Sequence, residues 1–199
     1  MRSLAVAFIV LLPFSGCGDR AGNPHVIIAT PMGDIRAEIY LDQAPVTAKA
    51  FLRNVDAGIY NDGGADFYRV VHMDNQPDNQ VQIEVVQGGV DRETGDTSVP
   101  YIPHETTKET KLTHLDGSLS MAREEPGTAN TEFAICIGAQ SELDFGGRRN
   151  PDGQGFAVFG KVVEGMEVVR SIQKLPETGQ YLDTAVSITS IRRVGADPG

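Results

Sequence analysis

One arginine lies among apolar strand-forming residues in the stretch 67–71, which reads Phe-Tyr-Arg-Val-Val. A second β-forming stretch, residues 84–89, reads Glu-Val-Val-Gln-Gly-Gly. The polar residues 72–82 between them contain Asn, Asp and Pro and favour a loop. Because aromatic and β-branched residues favour strands, the two stretches predict neighbouring strands. They would form one face of a sheet that carries Arg69 and Gln87 among apolar side chains.

Further strand-like segments follow this pattern along the chain. We predict strands within residues 25–30, 35–40, 117–122, 132–137, 156–163 and 186–188. Residues 25–40 form a hairpin, because a Pro-Met-Gly-Asp turn signal separates their two strands. Together with the opening pair, these segments give about seven or eight strands at spacings typical of an all-β barrel.

Two segments have a helical pattern. Pro45 opens the first, whose apolar residues fall on one face, and Gly58 suits its end. The second follows Gly165 and ends before Pro176. The remaining segments, 91–115, 123–130 and 141–155, are expected to be surface segments or loops. Because we find neither an internal repeat nor a second linker, we expect a single domain.

The net charge limits the classes of partner. The chain has 199 residues and a formal net charge of −10 at pH 7. A nucleic-acid-binding protein would need an excess of Lys and Arg, so we expect no nucleic-acid partner. The four histidines lack the spacing of a metal site and are expected at surface or loop positions. We therefore expect neither a metal nor a cofactor.

The N-terminal residues resemble an export signal rather than part of the fold. Residues 1–2 are Met-Arg, and residues 4–14 are an apolar run too short to span a bilayer as a helix. Ser15, Gly16 and Cys17 follow, as in a bacterial lipoprotein signal whose cysteine is lipidated. A plain secretory signal and an uncleaved anchor are the alternatives. We expect a signal peptide over 1–16, a tether over 17–24, a domain over 25–195 and a tail over 196–199.

Cys136 is the second of two cysteines in the chain. It lies in the apolar stretch Phe-Ala-Ile-Cys-Ile, and we expect it to be a buried small apolar residue. If Cys17 carries lipid, Cys136 has no partner for a disulfide within the chain.

Five motifs in the right order identify the chain as similar to a known family. They are residues 44–47, Ala-Pro-Val-Thr; 67–71; 86–91, Val-Gln-Gly-Gly-Val-Asp; 119–122, Leu-Ser-Met-Ala; and 158–166, Val-Phe-Gly-Lys-Val-Val-Glu-Gly-Met. From about residue 26 to residue 194 the chain resembles the cyclophilin-type peptidyl-prolyl cis-trans isomerases. The resemblance implies a closed eight-stranded antiparallel barrel capped by two α-helices.

The resemblance also implies a chemistry. Rotation about an X-Pro bond has a barrier of about 18–20 kcal/mol, because twisting removes amide resonance. In the twisted state the prolyl nitrogen gains a lone pair that can accept a hydrogen bond. By resemblance, Arg69 is the donor, and its guanidinium stays protonated at neutral pH. Gln87 orients Arg69 and contacts the substrate backbone.

The resemblance assigns the remaining substrate-binding positions to ten residues. They are Tyr68, Glu84, Val85, Ala122, Arg123, Glu132, Ala134, Glu142, Leu143 and Phe156. Several of them depart from the family pattern. Glu132 replaces a glutamine, and Ala134 replaces a phenylalanine at the pocket floor.

Two further departures concern the pocket wall and the loops beside it. Glu142 replaces an aromatic residue, and Glu84 replaces a pocket phenylalanine, unless the loop 72–82 shifts the register and Ile83 takes its place. Glu132 and Glu142 could also pair with Arg69 and compete with the substrate. By resemblance, residues 72–82 and 141–155 are two insertions, because both segments are longer than usual in the family. Arg148 and Arg149, in the second insertion, could favour acidic partners or be only solvated.

Two functions remain open from these observations. The first is an exported, lipid-anchored isomerase that acts as a monomer on proline-containing segments of extracytoplasmic proteins. The second is a cyclophilin-fold module that binds such segments with little or no catalysis. The presence of Arg69 and Gln87 favours the first function. The loss of aromatic residues from the predicted pocket wall favours the second.

Overall fold

The computed structural model describes residues 22–90 and 98–194. The predicted signal peptide, Cys17, most of the tether and the tail 196–199 lie outside these residues. The strands are β1 His25–Thr30, β2 Gly33–Ile39, β3 Ala65–Val71, β4 Val85–Gly89, β5 Ser118–Met121, β6 Phe133–Cys136, β7 Ala157–Glu164, β8 Glu177–Thr178, β9 Tyr181–Ile188 and β10 Ser190–Val194. The α-helices are α1 Pro45–Asp56, α2 Thr107–Thr110 and α3 Met166–Gln173.

The strands form one antiparallel sheet with the order β10-β1-β2-β7-β5-β6-β4-β3-β9-β8. The fold is therefore mainly β, as predicted, but the described residues contain ten strands rather than eight. They also contain a third α-helix, the four-residue α2. No pairing between β10 and β8 is found within residues 22–90 and 98–194, so the predicted closed barrel is not confirmed.

The two opening stretches form the neighbouring strands β3 and β4. Their register shifts between Phe67 and Arg69, so Tyr68 is the extra residue of a β-bulge. The glycine pair after Gln87 is needed for close packing. A Cβ atom at Gly88 would lie 2.5 Å from a backbone oxygen of β3, and one at Gly89, whose φ is +131°, would lie 2.6 Å from the Thr131 carbonyl oxygen.

The main core lies between the sheet and the two longer helices, α1 and α3. Its largest fully buried side chains are aromatic: Phe51, Tyr60, Phe67, Phe133 and Phe159. Their rings pack at centroid distances of 4.9–6.1 Å. Such rings bury large apolar surfaces and thereby stabilise the fold.

A second, smaller cluster lies beside the main core. It consists of Val71, Ile83, Val85, Cys136 and Leu143, with Ala134 and Phe156 packed against it. Cys136 is buried, as predicted, and burial raises the pKa of its thiol to about 12. A thiol with so high a pKa stays protonated near neutral pH and is not nucleophilic.

The predicted surface segment before β5 is partly wrong. Within residues 98–115, Glu105, Thr106, Thr107 and His114 are buried. The Glu105 carboxylate accepts hydrogen bonds from the backbone N–H groups of Val46 and Thr47, at 3.2 and 2.9 Å. It therefore caps the first turn of α1 from a distant part of the chain, a contact that local periodicity cannot reveal.

No helix within residues 22–90 and 98–194 has the length and apolar character to cross a membrane.

Candidate active site

A pocket of about 260 Å³ opens over the strands β3, β4, β6 and β5, which are adjacent in the sheet. Its described lining is Arg69, Ile83, Val85, Gln87, Ser120, Met121, Ala122, Arg123, Ala134, Leu143, Arg149, Asn150 and Phe156. Four of these residues form one row across the sheet, because Arg69 pairs with Gln87, Gln87 with Ala134, and Ala134 with Ser120. The pairing therefore places the predicted polar residues and the predicted pocket floor side by side.

Arg69 is held by two side-chain amides. Its Nη1 donates to Oε1 of Gln87 at 2.8 Å. Its Nε and Nη2 both donate to Oε1 of Gln180, at 3.2 and 2.5 Å. A guanidinium has five N–H groups, and these bonds use three, which leaves one on each terminal nitrogen. Both partners are neutral, so they orient the cation without cancelling its charge.

Gln180 lies in the turn between β8 and β9, at a left-handed φ of +78°. Its backbone holds it there: its N–H donates to a carboxylate oxygen of Glu177 at 2.5 Å, and its carbonyl accepts from the Val70 N–H at 2.8 Å. The side-chain Nε2 donates to the Asn75 carbonyl oxygen at 3.1 Å. The side-chain oxygen of Gln180 therefore faces Arg69 in a fixed position.

Tyr68 joins Arg69 at the same site because of the bulge. Without it, successive strand residues would point to opposite faces. The Tyr68 hydroxyl accepts from Nε2 of Gln87 at 2.9 Å and donates to the Glu132 carboxylate through a very short hydrogen bond. Burial and then the hydrogen bond to Glu132 raise the pKa of Tyr68. Tyr68 therefore stays a neutral donor near neutral pH, and it turns the Gln87 oxygen towards Arg69.

The apolar wall is formed by aliphatic residues and one aromatic ring. Ile83 is buried and lines the pocket, whereas Glu84 is not part of the described lining. This placement agrees with the alternative in which Ile83, rather than Glu84, faces the pocket. Ala134 does lie at the pocket floor, in the row with Gln87.

Phe156 supplies the one aromatic ring in the described lining. The Arg123 guanidinium lies over this ring, 5.1 Å from its centroid. Arg123 is itself buried and donates to both carboxylate oxygens of Asp152, at 2.8 and 3.1 Å, and to the Gly155 carbonyl. Hydrogen bonds from Arg123 lower the pKa of Asp152. This ion pair fixes the loop that carries Phe156.

Glu142, a predicted substrate-binding residue, is not part of the described lining. Its carboxylate pairs with Arg148, at 2.8 Å from Nη2, and also accepts from the Arg148 backbone N–H at 2.9 Å. These hydrogen bonds lower the pKa of Glu142. The carboxylate is therefore engaged at the outer side of the loop 141–155.

Comparisons with known proteins agree with this geometry. Residues 25–193 match the family model "Cyclophilin type peptidyl-prolyl cis-trans isomerase/CLD". The chain belongs to this family. Among its relatives, peptidyl-prolyl cis-trans isomerase A of Dickeya dadantii is 33% identical over 85% of this chain and 82% of the relative. A peptidyl-prolyl cis-trans isomerase of Acinetobacter baylyi is 31% identical over 77% of this chain and 74% of the relative.

Solved structures show the same fold. A cyclophilin-type isomerase of Cryptosporidium parvum superposes with a TM-score of 0.68 at 21% identity, over 87% of this chain and 99% of that chain. The same protein solved in the presence of the dipeptide Ala-Pro gives a TM-score of 0.68 at 22% identity, over 86% of this chain and 99% of that chain. The predicted cyclophilin family, its fold and the isomerase class are confirmed.

Ten of the predicted cyclophilin site residues meet at one place in the structure. Arg69, Gln87, Val85, Ala122, Arg123, Ala134, Leu143 and Phe156 line the pocket, and Tyr68 and Glu132 bond to one another beside it. Glu84 and Glu142, the other two predicted site residues, are not part of the described lining, so their contact with substrate stays a prediction. Their sequence neighbours Ile83, Val85 and Leu143 line the pocket.

Sequence reasoning missed Gln180 as a site residue. It lies 111 positions from Arg69 in the sequence and in a short turn, and neither property distinguishes it from an ordinary loop glutamine. Its left-handed φ is also unusual for a residue other than glycine. Only the pairing of β9 with β3 brings it to the arginine.

One histidine, His114, lies in the segment between α2 and β5, one of the loop positions expected for the histidines, but its side chain is buried. His114 is 1% exposed, and its Nδ1 lies 2.7 Å from Oδ1 of Asp144 while its Nε2 lies 2.9 Å from Oγ of Ser120. It thus connects the pocket residue Ser120 to the loop 141–155. Among the described residues, no cluster of three His, Cys, Asp or Glu side chains could hold a metal ion.

Proposed function

We propose that this chain isomerises X-Pro peptide bonds, with Arg69 as the group that stabilises the twisted amide. The observation that carries the proposal is the position of the Arg69 guanidinium in the pocket. It is oriented by two neutral amides, Gln87 and Gln180, and retains two N–H groups after its described contacts.

The proline ring would occupy the apolar part of the pocket. Ile83, Val85, Ala134, Leu143 and Phe156 form this part, next to Arg69. As the X-Pro bond twists, the prolyl nitrogen loses its resonance with the carbonyl and becomes a hydrogen-bond acceptor. A donor that is already in place when this lone pair develops stabilises the transition state more than the planar ground state.

The second function, binding without catalysis, is favoured by one feature. Phe156 is the only aromatic side chain in the described lining, and Ala134 offers only a small apolar surface at the floor. A smaller apolar contact weakens the hold on the proline ring, at about 25 cal/mol for each Å² of apolar surface that stays in water. Weak holding lowers affinity, but it leaves Arg69 in position to act on a bound proline.

The two functions are separated by the rate of isomerisation of an X-Pro peptide at several protein concentrations. Uncatalysed exchange takes roughly tens to hundreds of seconds, so catalysis is measurable above it. We expect the isomerisation rate to rise in proportion to the concentration of wild-type protein. In Arg69→Ala the catalysed rate should fall about 100-fold. A peptide that binds but exchanges only at the uncatalysed rate would support the binding module.

We also propose that the isomerase is exported and anchored by lipid on Cys17. The sequence pattern at residues 1–17 supports this, and residues 17–24 would tether a monomeric domain to the membrane. Metabolic labelling with a fatty acid tests the anchor: wild type should incorporate label and partition with membranes, and Cys17→Ala should do neither. Equal release of both forms into the soluble fraction would overturn the anchor and leave the isomerase proposal intact.

A further inference from the structure

The described lining of the pocket contains three arginines and neither Asp nor Glu. One of them, Arg123, is neutralised by its bidentate pair with Asp152. The other two, Arg69 and Arg149, have only neutral described partners. The pocket therefore carries two positive charges within a chain whose net charge is −10.

Arg149 is held in place by the two insertions that flank the pocket. Its Nη1 donates to Oε1 of Gln76 at 3.0 Å and to the Val81 carbonyl oxygen at 2.6 Å, both from the loop 72–82. Gln76 is 1% exposed, and its own amide is fixed by the Ile83 backbone at 2.8 and 3.2 Å. The guanidinium is thus held in a prepared position at the pocket rather than extended into solvent.

The neighbouring residue, Arg148, shows the contrast. Its side chain is 75% exposed and pairs with the Glu142 carboxylate at 2.8 Å. Two adjacent arginines of one loop therefore have opposite environments: Arg148 has an anionic partner outside the pocket, and Arg149 lies inside with amide and carbonyl partners only.

The environment of Arg149 is unfavourable for a cation in the empty pocket. Burial, and then the charge of Arg69, lower the pKa of Arg149. A guanidinium nevertheless remains protonated at neutral pH, so the repulsion between the two cations persists. A carboxylate placed near Arg149 would relieve this repulsion and gain charge-assisted hydrogen bonds.

We propose that this pocket selects proline-containing segments with an acidic side chain directly before or after the proline, and that Arg149 binds that carboxylate. The inference rests on the proposed function, because the proline is taken to occupy the pocket beside Arg69. Arg149 lies in the segment 141–155, and Gln76 lies in the loop 72–82. The insertions thus act together as one specificity element.

Two pairs of matched peptides test this proposal. In one pair the residue before the proline is Glu or Gln, and in the other pair the residue after it is Glu or Gln. Affinity is measured by isothermal titration calorimetry, and isomerisation is measured separately on the same peptides. Wild type should bind the Glu member of at least one pair about tenfold more tightly than its Gln member.

Three variants assign the preference to one side chain. In Arg149→Gln the ratio of the Glu and Gln affinities should fall to about one, whereas Arg149→Lys should retain part of it because the charge is kept. Arg148→Gln is the matched control and should keep the wild-type ratio. Added salt should reduce the ratio, since the Debye length is about 8 Å at physiological ionic strength.

The outcomes separate this inference from the proposed function. Catalysis of the Gln peptides with a Glu-to-Gln ratio near one at both positions overturns the acidic preference and leaves the isomerase intact. An acidic preference in the affinities without any catalysis removes the isomerase and leaves the preference. A preference that survives in Arg149→Gln, or is lost in Arg148→Gln, overturns the assignment to Arg149.

Discussion

The two sides of the pocket are built very differently. On the polar side, Arg69 and Gln87 on two neighbouring strands and Gln180 in a turn are joined by hydrogen bonds, which leave two N–H groups of Arg69 available. On the apolar side, Ala134 and Ile83 are aliphatic, and Phe156 is the one aromatic residue of the described lining. The large, fully buried aromatic rings lie in the main core instead. The difference indicates that several hydrogen bonds fix the orientation of Arg69, whereas the apolar contact with a bound proline ring is weak.

Two neighbouring residues of β6 show the contrast between the aromatic main core and the pocket wall. The core residue, Phe133, gives the largest expected change in stability. Phe133 faces the main core, where its ring contacts those of Phe51, Tyr60 and Phe67. Phe133→Ala should lower the free energy of unfolding by about 3–5 kcal/mol in urea denaturation, because it leaves a cavity. Phe133→Leu, the milder control, should lose clearly less. An equal loss in both variants would contradict the view that the ring cluster carries the core.

Ala134 is next to Phe133 but faces the pocket. A larger side chain at this position tests whether the small apolar surface of the wall limits the affinity for proline. Ala134→Phe should lower the Kd for a proline peptide about tenfold, which corresponds to about 1.4 kcal/mol. Calorimetric titration measures the change. Ala134→Gln, similar in length but polar, should bring no gain. If Ala134→Phe binds no better than wild type, the small apolar surface at the pocket floor is not what limits affinity.

Gln180 tests the polar side without disturbing the wall. Gln180→Gly removes the amide that faces Arg69, and glycine adopts the left-handed φ of this position without strain. We expect kcat/KM to fall about tenfold, while the free energy of unfolding changes by no more than about 1 kcal/mol. An unchanged kcat/KM in the folded variant would mean that Gln87 alone positions the arginine.

The smallest effect concerns the ion pair that supports the one aromatic wall residue. The pKa of Asp152 is lowered by hydrogen bonds from Arg123, so the unfolded state has the higher pKa. The pair therefore contributes its full stability above the ordinary carboxyl pKa, and the contribution is lost as the pH falls through the lowered folded value. Because Asp152 is exposed, this contribution is modest.

Unfolding measurements at pH 7 and pH 3 on wild type and Asp152→Asn check this assignment. The variant should be less stable than wild type at pH 7, and the difference should shrink at pH 3. A difference that is constant with pH would show that the carboxylate charge is not the relevant property of Asp152.

The sequence was informative where local pattern and motif order coincide. Arg69 and Gln87 could be predicted as neighbours because each lies in a strand-forming stretch with few alternatives. The bulge at Tyr68 could not be predicted, since a single extra residue leaves no signature in a run of apolar and aromatic residues. Yet this bulge brings Tyr68 and Arg69 to the same glutamine.

Contacts across long sequence separations explain the remaining differences. Gln180 and Glu105 act on parts of the chain 111 and 58 residues away. The spacing of apolar residues indicates which face of one helix or strand is buried. It does not indicate which distant residues that element contacts. Insertions have a similar effect, because they decide whether Ile83 or Glu84 faces the pocket and whether Arg149 points inward.

We propose that Arg69 accelerates the twist of a bound proline and contributes less to holding it. The most direct test is exchange spectroscopy by NMR on an X-Pro peptide at saturating concentrations of wild type and of Arg69→Lys. Lysine keeps the charge but lacks the planar fork that Gln87 and Gln180 orient. We predict that the Kd stays within about threefold while the exchange rate of the bound peptide falls about 100-fold. An exchange rate equal to that of wild type would contradict the account.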